Sequence, residues 1–202
     1  MPRRGEHSRS ELEQLILNSA NELLEKEGLA AVTTRKIAAK INYTHGTVHN
    51  FYEDFPELIL RLNEQTLDQI YCVLSSLSLN KKYLEKSLNE LCEAYLNYSL
   101  LNYNRWHALY DFSYTQSTKK ELPEWYQVKV DKIFKLLELN FKNFGLKNSD
   151  ALSASQILWS CLHGIMVLSL NDKLSLSKAK SVEKLIHKYT QLLACGLEKL
   201  VS

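Results

Sequence analysis

His45 and His49 stand four residues apart, the spacing that puts two imidazoles on one helical face, where such a pair can hold a metal ion. The pair brings no third ligand type with it, so no metal is expected there. Cys72, Cys92, Cys161 and Cys195 are widely spaced, with no C-x-x-C pair and no Cys beside a His at ligand spacing. They read as buried thiols of a reducing compartment rather than zinc ligands or a redox couple. The sequence contains no phosphate-cradling glycine loop and no nucleophile elbow, so neither an enzyme nor a cofactor is expected. What remains are two short polar runs, His45-Gly46 and His49-Asn50. Their imidazole and amide groups are of the kinds that meet phosphates and base edges.

Those runs need a scaffold, and the residues around them supply one. Ser8-x-x-Glu11 and Ser10-x-x-Glu13 both have capping-box spacing, and Leu12, Leu15, Ile16, Ser19, Ala20, Leu23 and Leu24 recur at helical period up to about Glu27. Gly28 followed by Leu29 fits a left-handed stop with a hydrophobic lock. A short second helix is expected from Thr33 or Thr34 to Ile41, with Asn42 turning the chain, and Thr44 capping a third helix to about Tyr52. Two helices crossing steeply through a three- or four-residue turn need a small residue at the contact, here Ala38. They also need an apolar interior, here Ile37, Ile41, Tyr43, Val48 and Phe51. Helical geometry then turns His45, Gly46, His49 and Asn50 outward, the face a major groove would meet. Spacing alone also admits an ordinary helical hairpin.

A fourth helix is expected to open at Pro56 and to run through Ile59, Leu62, Leu67, Ile70, Leu74 and Leu77. Beyond Asn80 the pattern stays helical, with breaks near Asn104, Leu122-Pro123, Gly145 to Ser149 and Asn171 to Ser177. The fold class is therefore all-α with about nine helices. The division expected is a helix-turn-helix domain over 8–54 and a larger helical domain over 55–202. Six Gly and three Pro in 202 residues leave few joints, which favours long helices over short strands.

A formal net charge of +2 is too weak to mark a nucleic-acid binder by its global field. Within residues 1–52, seven Lys or Arg face six Glu, but the acids fall between Glu6 and Glu27, leaving the basic residues to a tail and one helix. The charged start Met1-Pro2-Arg3-Arg4 has no apolar region of a signal peptide, and the uncharged run 157–170 falls short of the ~18 residues needed to span a bilayer. A cytoplasmic location and no membrane partner are expected.

The run from Ile16 to Leu60 contains A-x-x-L-L-E-K-E-G-L from Ala20, T-T-R-K-I-A-A-K-I from Thr33 and G-T-V-H-N-F-Y-E-D-F-P-E-L-I from Gly46. In that order it resembles the DNA-binding domain of the TetR family of bacterial repressors. The resemblance implies a ligand-responsive homodimer whose recognition helices enter successive major grooves of a palindromic double-stranded DNA operator, roughly 34–36 Å apart. Carried over by position, Thr34 holds a phosphate through hydroxyl and amide, Arg35 reaches a base edge and Lys36 a phosphate. Gly46 permits close approach, Thr47 meets a thymine methyl or phosphate, and Asn50 reads a base edge. Arg3, Arg4 and Arg9 add salt-sensitive phosphate contacts. Two positions depart from the family: His49 stands where Tyr is usual, and Phe55 where Lys is usual. Phe55 cannot hold a phosphate and is expected to pack inside. An alternative is a helical dimeric interaction protein that has lost operator binding.

In the body, the helix around Ile157 to Leu170 is apolar nearly all round, with Ser160 and Gly164 allowing close approach. The last helix carries Val182, Leu185, Ile186, Tyr189, Leu193, Gly196 and Leu200 as a stripe. These two helices are expected to form the homodimer face as a four-helix bundle. L-W-S-C-L-H-G-I is similar to the signature of a Trp-His-Gly subfamily at Trp159, His163 and Gly164. The resemblance implies a pocket for a small-molecule inducer, assigned to Trp106, Tyr110, Trp159 and His163 among the body's aromatics.

Overall fold

The computed structural model describes residues 7–52, 54–77, 79, 83–170 and 182–201. Among these the chain is all-helical, with ten α-helices and one 3-10 turn. The first helix, α1 (Arg9–Glu27), uses the earlier of its two capping boxes. The Ser8 hydroxyl accepts from the Glu11 amide at 3.3 Å, and the Ser8 amide donates to the Glu11 carboxylate at 2.7 Å. Gly28 ends it at φ 82° and ψ 178°. That is an extended, positive-φ conformation rather than the left-handed helical stop expected, and it leads directly into the 3-10 turn Leu29–Ala31. Only glycine adopts this region readily, so Gly28→Ala is expected to lower unfolding free energy by about 1–3 kcal/mol in urea titrations.

By contacts the chain forms two compact units, residues 1–69 with 99–129, and residues 70–98 with 130–202. In the first unit, α2 (Thr34–Lys40), α3 (His45–His49) and the start of α4 (Phe55–Ser75) close on α1. Ile16, Ala20, Leu24, Ile37, Ala38, Val48, Leu58, Ile59 and Leu62 form the core. Pro56 lies in the first turn of α4 as expected, and the Asp54 carboxylate caps that turn by accepting from the Glu57 amide at 2.9 Å. Helix α6 (Tyr103–Asp111) adds Ala108 to the same core.

The expected single helix between Asn104 and Leu122 is broken into α6 and α7 (Tyr114–Thr118), which accounts for a count of ten rather than nine. The break falls at Phe112-Ser113, where the Ser113 hydroxyl accepts from the Gln116 amide at 3.4 Å and starts a new helix. Near the start of α8 (Glu124–Asn143), Lys129 lies 2.7 Å from Asp68 and 3.3 Å from Glu64. The Arg61 guanidinium stacks 3.8 Å above Trp125.

The second unit holds most of α5 (Leu84–Leu101) and α8, with α9 (Asn148–Leu170) and α10 (Val182–Val201). Its core includes Leu88, Leu91, Tyr95, Ile133, Leu137, Phe141, Leu158, Leu162, Met166 and Ile186. The expected break at Gly145 is present, with φ 98° at that residue. The break expected at Asn171 to Ser177 lies outside the described residues. Helix α9 starts at Asn148, so at 23 residues it is long and apolar enough to cross a membrane, contrary to the expectation from residues 157–170 alone. Ala151, Ala154, Ser155, Leu158, Leu162 and Met166 nevertheless form a buried stripe along it, the pattern of a helix packed in a protein core. The thiols also differ from expectation: Cys92 is buried, but Cys72, Cys161 and Cys195 are exposed.

Candidate nucleic-acid interface

Helix α2 begins at Thr33, whose hydroxyl accepts from the Lys36 amide at 3.2 Å. It ends where Asn42 takes φ 59° and the Tyr43 amide donates back to the Ala38 carbonyl at 2.9 Å, a left-handed cap that turns the chain sharply. Ala38 is buried at that turn, as a close crossing requires, while Ile41 and Phe51 are partly buried against the core. Tyr43 stays outside it, its hydroxyl 2.9 Å from His7 Nδ1. Helix α3 is shorter than the expected run to Tyr52: regular helix ends at His49, and tighter bonds from the Asn50 and Phe51 amides to Thr47 and Val48 carry one more turn. Gly46 and the β-branched Thr47 and Val48 are weak helix formers, which accounts for the early end. The Thr44 hydroxyl does not cap α3; it lies 3.0 Å from that of Thr47.

The turn brings the outward residues together as expected. His45, His49 and Asn50 are exposed, Gly46 and Thr47 partly so, and the His45 and His49 rings meet edge to face at 5.5 Å. Thr34 is partly buried in the first turn of α2, beside exposed Arg35 and Lys36. Arg9 lies with its guanidinium 5.2 Å above the Phe51 ring, whereas Arg3 and Arg4 fall outside the described residues. Phe55 packs against the core, as its replacement of a lysine suggested.

Two acids on α1 face α2, a pairing that sequence spacing does not signal. Lys36 Nζ lies 2.7 Å from Glu27, and Lys40 Nζ 2.8 Å from Glu22, both acids on α1. The bonded lysines hold both carboxyls below the usual carboxylate range. Among the described residues Arg35 has no ion-pair partner, so it is the α2 cation most available to an anion. Glu27→Gln is therefore expected to tighten DNA binding by about threefold. It should also steepen the salt dependence towards one further phosphate contact, measured by fluorescence anisotropy over a salt series.

Residues 88–189 match the family described as "Tetracyclin repressor-like, C-terminal domain", and residues 16–60 match "Bacterial regulatory proteins, tetR family". The chain belongs to the TetR family. Solved TetR-like folds superpose along nearly its whole length. A Rhodococcus sp. RHA1 protein of unknown function has TM-score 0.68 at 15% identity, covering 100% of both chains. A TetR transcriptional regulator from Legionella pneumophila has TM-score 0.58 at 19% identity, covering 93% of this chain and 98% of that one. BioQ, crystallised with its double-stranded DNA operator, has TM-score 0.59 at 17% identity, covering 90% and 94%. At these identities the likeness concerns the fold. No curated protein matches. The TetR-family match over 16–60 contains every helix-turn-helix residue described above, and the protein is a DNA-binding transcriptional regulator.

The aromatic residues assigned to an inducer pocket in this TetR-family chain pack as two pairs, each described within its own unit. Trp106 and Tyr110 pack at 5.2 Å in the first unit, and Trp159 and His163 at 4.4 Å in the second. His163 is buried and bonded at both nitrogens. Nδ1 must donate to the Trp159 carbonyl at 2.7 Å, so neutral Nε2 accepts from the Tyr95 hydroxyl at 2.5 Å. Burial pushes its pKa down to about 4. On the outer surface of the second unit, Ile157, Cys161, Gly164 and Leu168 of α9 are exposed at helical spacing. On α10, Leu192, Gly196 and Leu200 are exposed, and Leu185, Tyr189 and Leu193 partly so, but Ile186 faces inward. The predicted stripe was thus slightly misaligned: Ile186, Thr190, Ala194 and Leu197 define the buried face, and Leu192 joins the outer one.

Proposed function

We propose that this TetR-family regulator is a cytoplasmic, ligand-responsive repressor that binds a palindromic operator as a homodimer. The operator-reading domain spans 8–54, and 55–202 carries effector binding and dimerisation. The observation that carries this reading is the solvent-facing set of Arg35 on α2 and His45, Gly46, Thr47, His49 and Asn50 on and just after α3, carried on a tightly turned helix pair whose Ile37, Ala38 and Val48 are buried in the core. Thr34, through its hydroxyl and first-turn amide, grips a phosphate, as Lys36 does once released from Glu27. Arg35 and Asn50 read base edges, and Thr47 a thymine methyl or phosphate. The exposed apolar rows on α9 and α10 serve as the self-complementary dimer face, Gly164 admitting close approach because among the described residues no other helix or side chain comes within 4 Å of where its Cβ would stand. Trp159 and His163, whose rings meet tilted at 4.4 Å, stand with Gly164 in the order of the Trp-His-Gly signature, which supports placement in that subfamily. No catalysis and no membrane partner are assigned. Effector binding acts by favouring a conformation in which the paired heads no longer fit successive grooves.

A second reading, an interaction protein that has lost operator binding, draws on Phe55 packed where a phosphate clamp is usual and on the α2 lysines engaged by acids. A mobility-shift assay on DNA upstream of the coding sequence separates the two. The regulator reading predicts a shift that weakens steeply with salt; a stable dimer that ignores DNA at low salt favours the second.

A further inference from the structure

The start of α4 lies beside the residues assigned to DNA, yet residues 53–60 contain no Lys or Arg. Thr34 of α2, His49 of α3, and Asp54 and Phe55 at the start of α4 line one small hollow within the first unit. Phe55 packs against the core, whereas Asp54 and, in the first turn, Glu57 are acids. The first cation along α4 is Arg61, which pairs with Glu57 and Glu64 and stacks over Trp125. A phosphate reaching this edge of the hollow would meet carboxylates alone and be repelled.

A cation reaches the edge from another segment. Lys120, between α7 and α8, places its Nζ 3.5 Å from the Asp54 carboxylate, and its side chain stays 46% exposed. Local bonds fix the backbone there. The Lys119 amide donates to the Thr115 carbonyl at 2.9 Å, and the Lys120 amide to the Thr118 hydroxyl at 3.1 Å. Lys119 ends α7 at φ 60° and ψ 15°, a left-handed cap where glycine or asparagine costs least, so a lysine is held there against its backbone preference. Both lysines are exposed, with Glu121 after them.

We infer that Lys120 is a DNA-backbone contact: a phosphate of the bound duplex accepts from its ammonium at the edge of the hollow that Thr34 and His49 share. An ammonium carries three donors, so Lys120 keeps Asp54 and meets a phosphate oxygen at the same time. Its target is phosphate rather than base, because a point charge on a flexible stem lacks the planar fork that reads guanine. The charge that the start of α4 lacks in its own sequence is thus supplied by a distant segment that packs in the same unit as the helix-turn-helix. The inference rests on the reading that Thr34 and His49 face DNA.

The test is fluorescence anisotropy of the full chain over a salt series with two labelled duplexes, one from DNA upstream of the coding sequence and one of scrambled sequence. Lys120→Gln should weaken binding to both by about fivefold for each bound head at ~0.1 M salt, and flatten the salt slope by about one per head, as for a single lost phosphate contact. Lys120→Arg should keep both affinity and slope, since it keeps the charge. Thermal unfolding of Lys120→Gln should match the wild type, because an exposed ion pair adds little to stability. The inference is overturned if Lys120→Gln keeps the wild-type slope, even with weaker binding, for then Lys120 only steadies Asp54. A loss confined to the upstream duplex also overturns it. Thr34→Ala keeps the two readings apart. If Thr34→Ala binds like the wild type, the DNA-facing reading of the hollow fails; if Thr34→Ala is weakened and Lys120→Gln is not, only the Lys120 contact fails.

Discussion

A chain carrying Ile157→Glu with Leu192→Glu is expected to sediment as a monomer and to bind operator DNA about a hundredfold more weakly, or worse. Both side chains are at least half exposed, at 50% and 64%, so charge there leaves the second unit folded. Two such rows meeting their own copies would desolvate four carboxylates in the middle of an apolar interface. The loss at DNA follows from valency. With both heads tethered, the second half-site is bound at high effective concentration, an advantage of about 10²–10⁴ that a monomer forfeits. Sedimentation and anisotropy on the same sample check both halves. A dimeric double variant would place the interface elsewhere, and a monomer with undiminished affinity would show that one head suffices.

Acidification is expected to destabilise the protein through His163 in a defined window. Its neutral form is held by burial, with Nε2 accepting from Tyr95, and its pKa is lowered from the ordinary 6.5 to about 4. In the unfolded chain the imidazole protonates as pH falls through 6.5, whereas in the fold it resists until about 4. The stability this group contributes is therefore fully present above 6.5 and is lost as pH falls towards 4, by about 3 kcal/mol at the lower limit. Urea unfolding at a series of pH values should show a shallower slope across this window for His163→Gln, by up to one proton. Equal slopes in the two proteins would mean that His163 is not held neutral in the fold.

The helix-turn-helix was legible because its determinants are local. The Ser8 box, the Asn42 turn and the small Ala38 each fix backbone geometry within a few residues, and each occurs as the sequence predicts. The end of α3 was less so, since Thr44 and Thr47 bond to each other rather than cap, a choice between local partners that spacing does not resolve. Contacts between separate segments were the least legible. Glu22 and Glu27 stand on a different helix from the DNA-facing run, and only the packing of α2 on α1 brings them to Lys40 and Lys36. The same holds for Arg105, which sequence leaves as one polar residue among aromatics and the fold buries against Glu25. Trp106 packs on Tyr110 and Trp159 on His163 through helical spacings of four residues, which sequence does show.

Footprinting on DNA upstream of the coding sequence, for the wild type and Asn50→Ala, shows whether the face of α3 with Arg35 of α2 reads DNA. Two protected half-sites related by a two-fold axis are expected, with centres a whole number of turns of about 10–10.5 base pairs apart. Asn50→Ala should narrow the gap between specific and non-specific affinity by about tenfold, as expected for one lost base contact. Uniform protection without half-sites, or an Asn50→Ala footprint as specific as the wild type's, would contradict that role for α3 and Arg35.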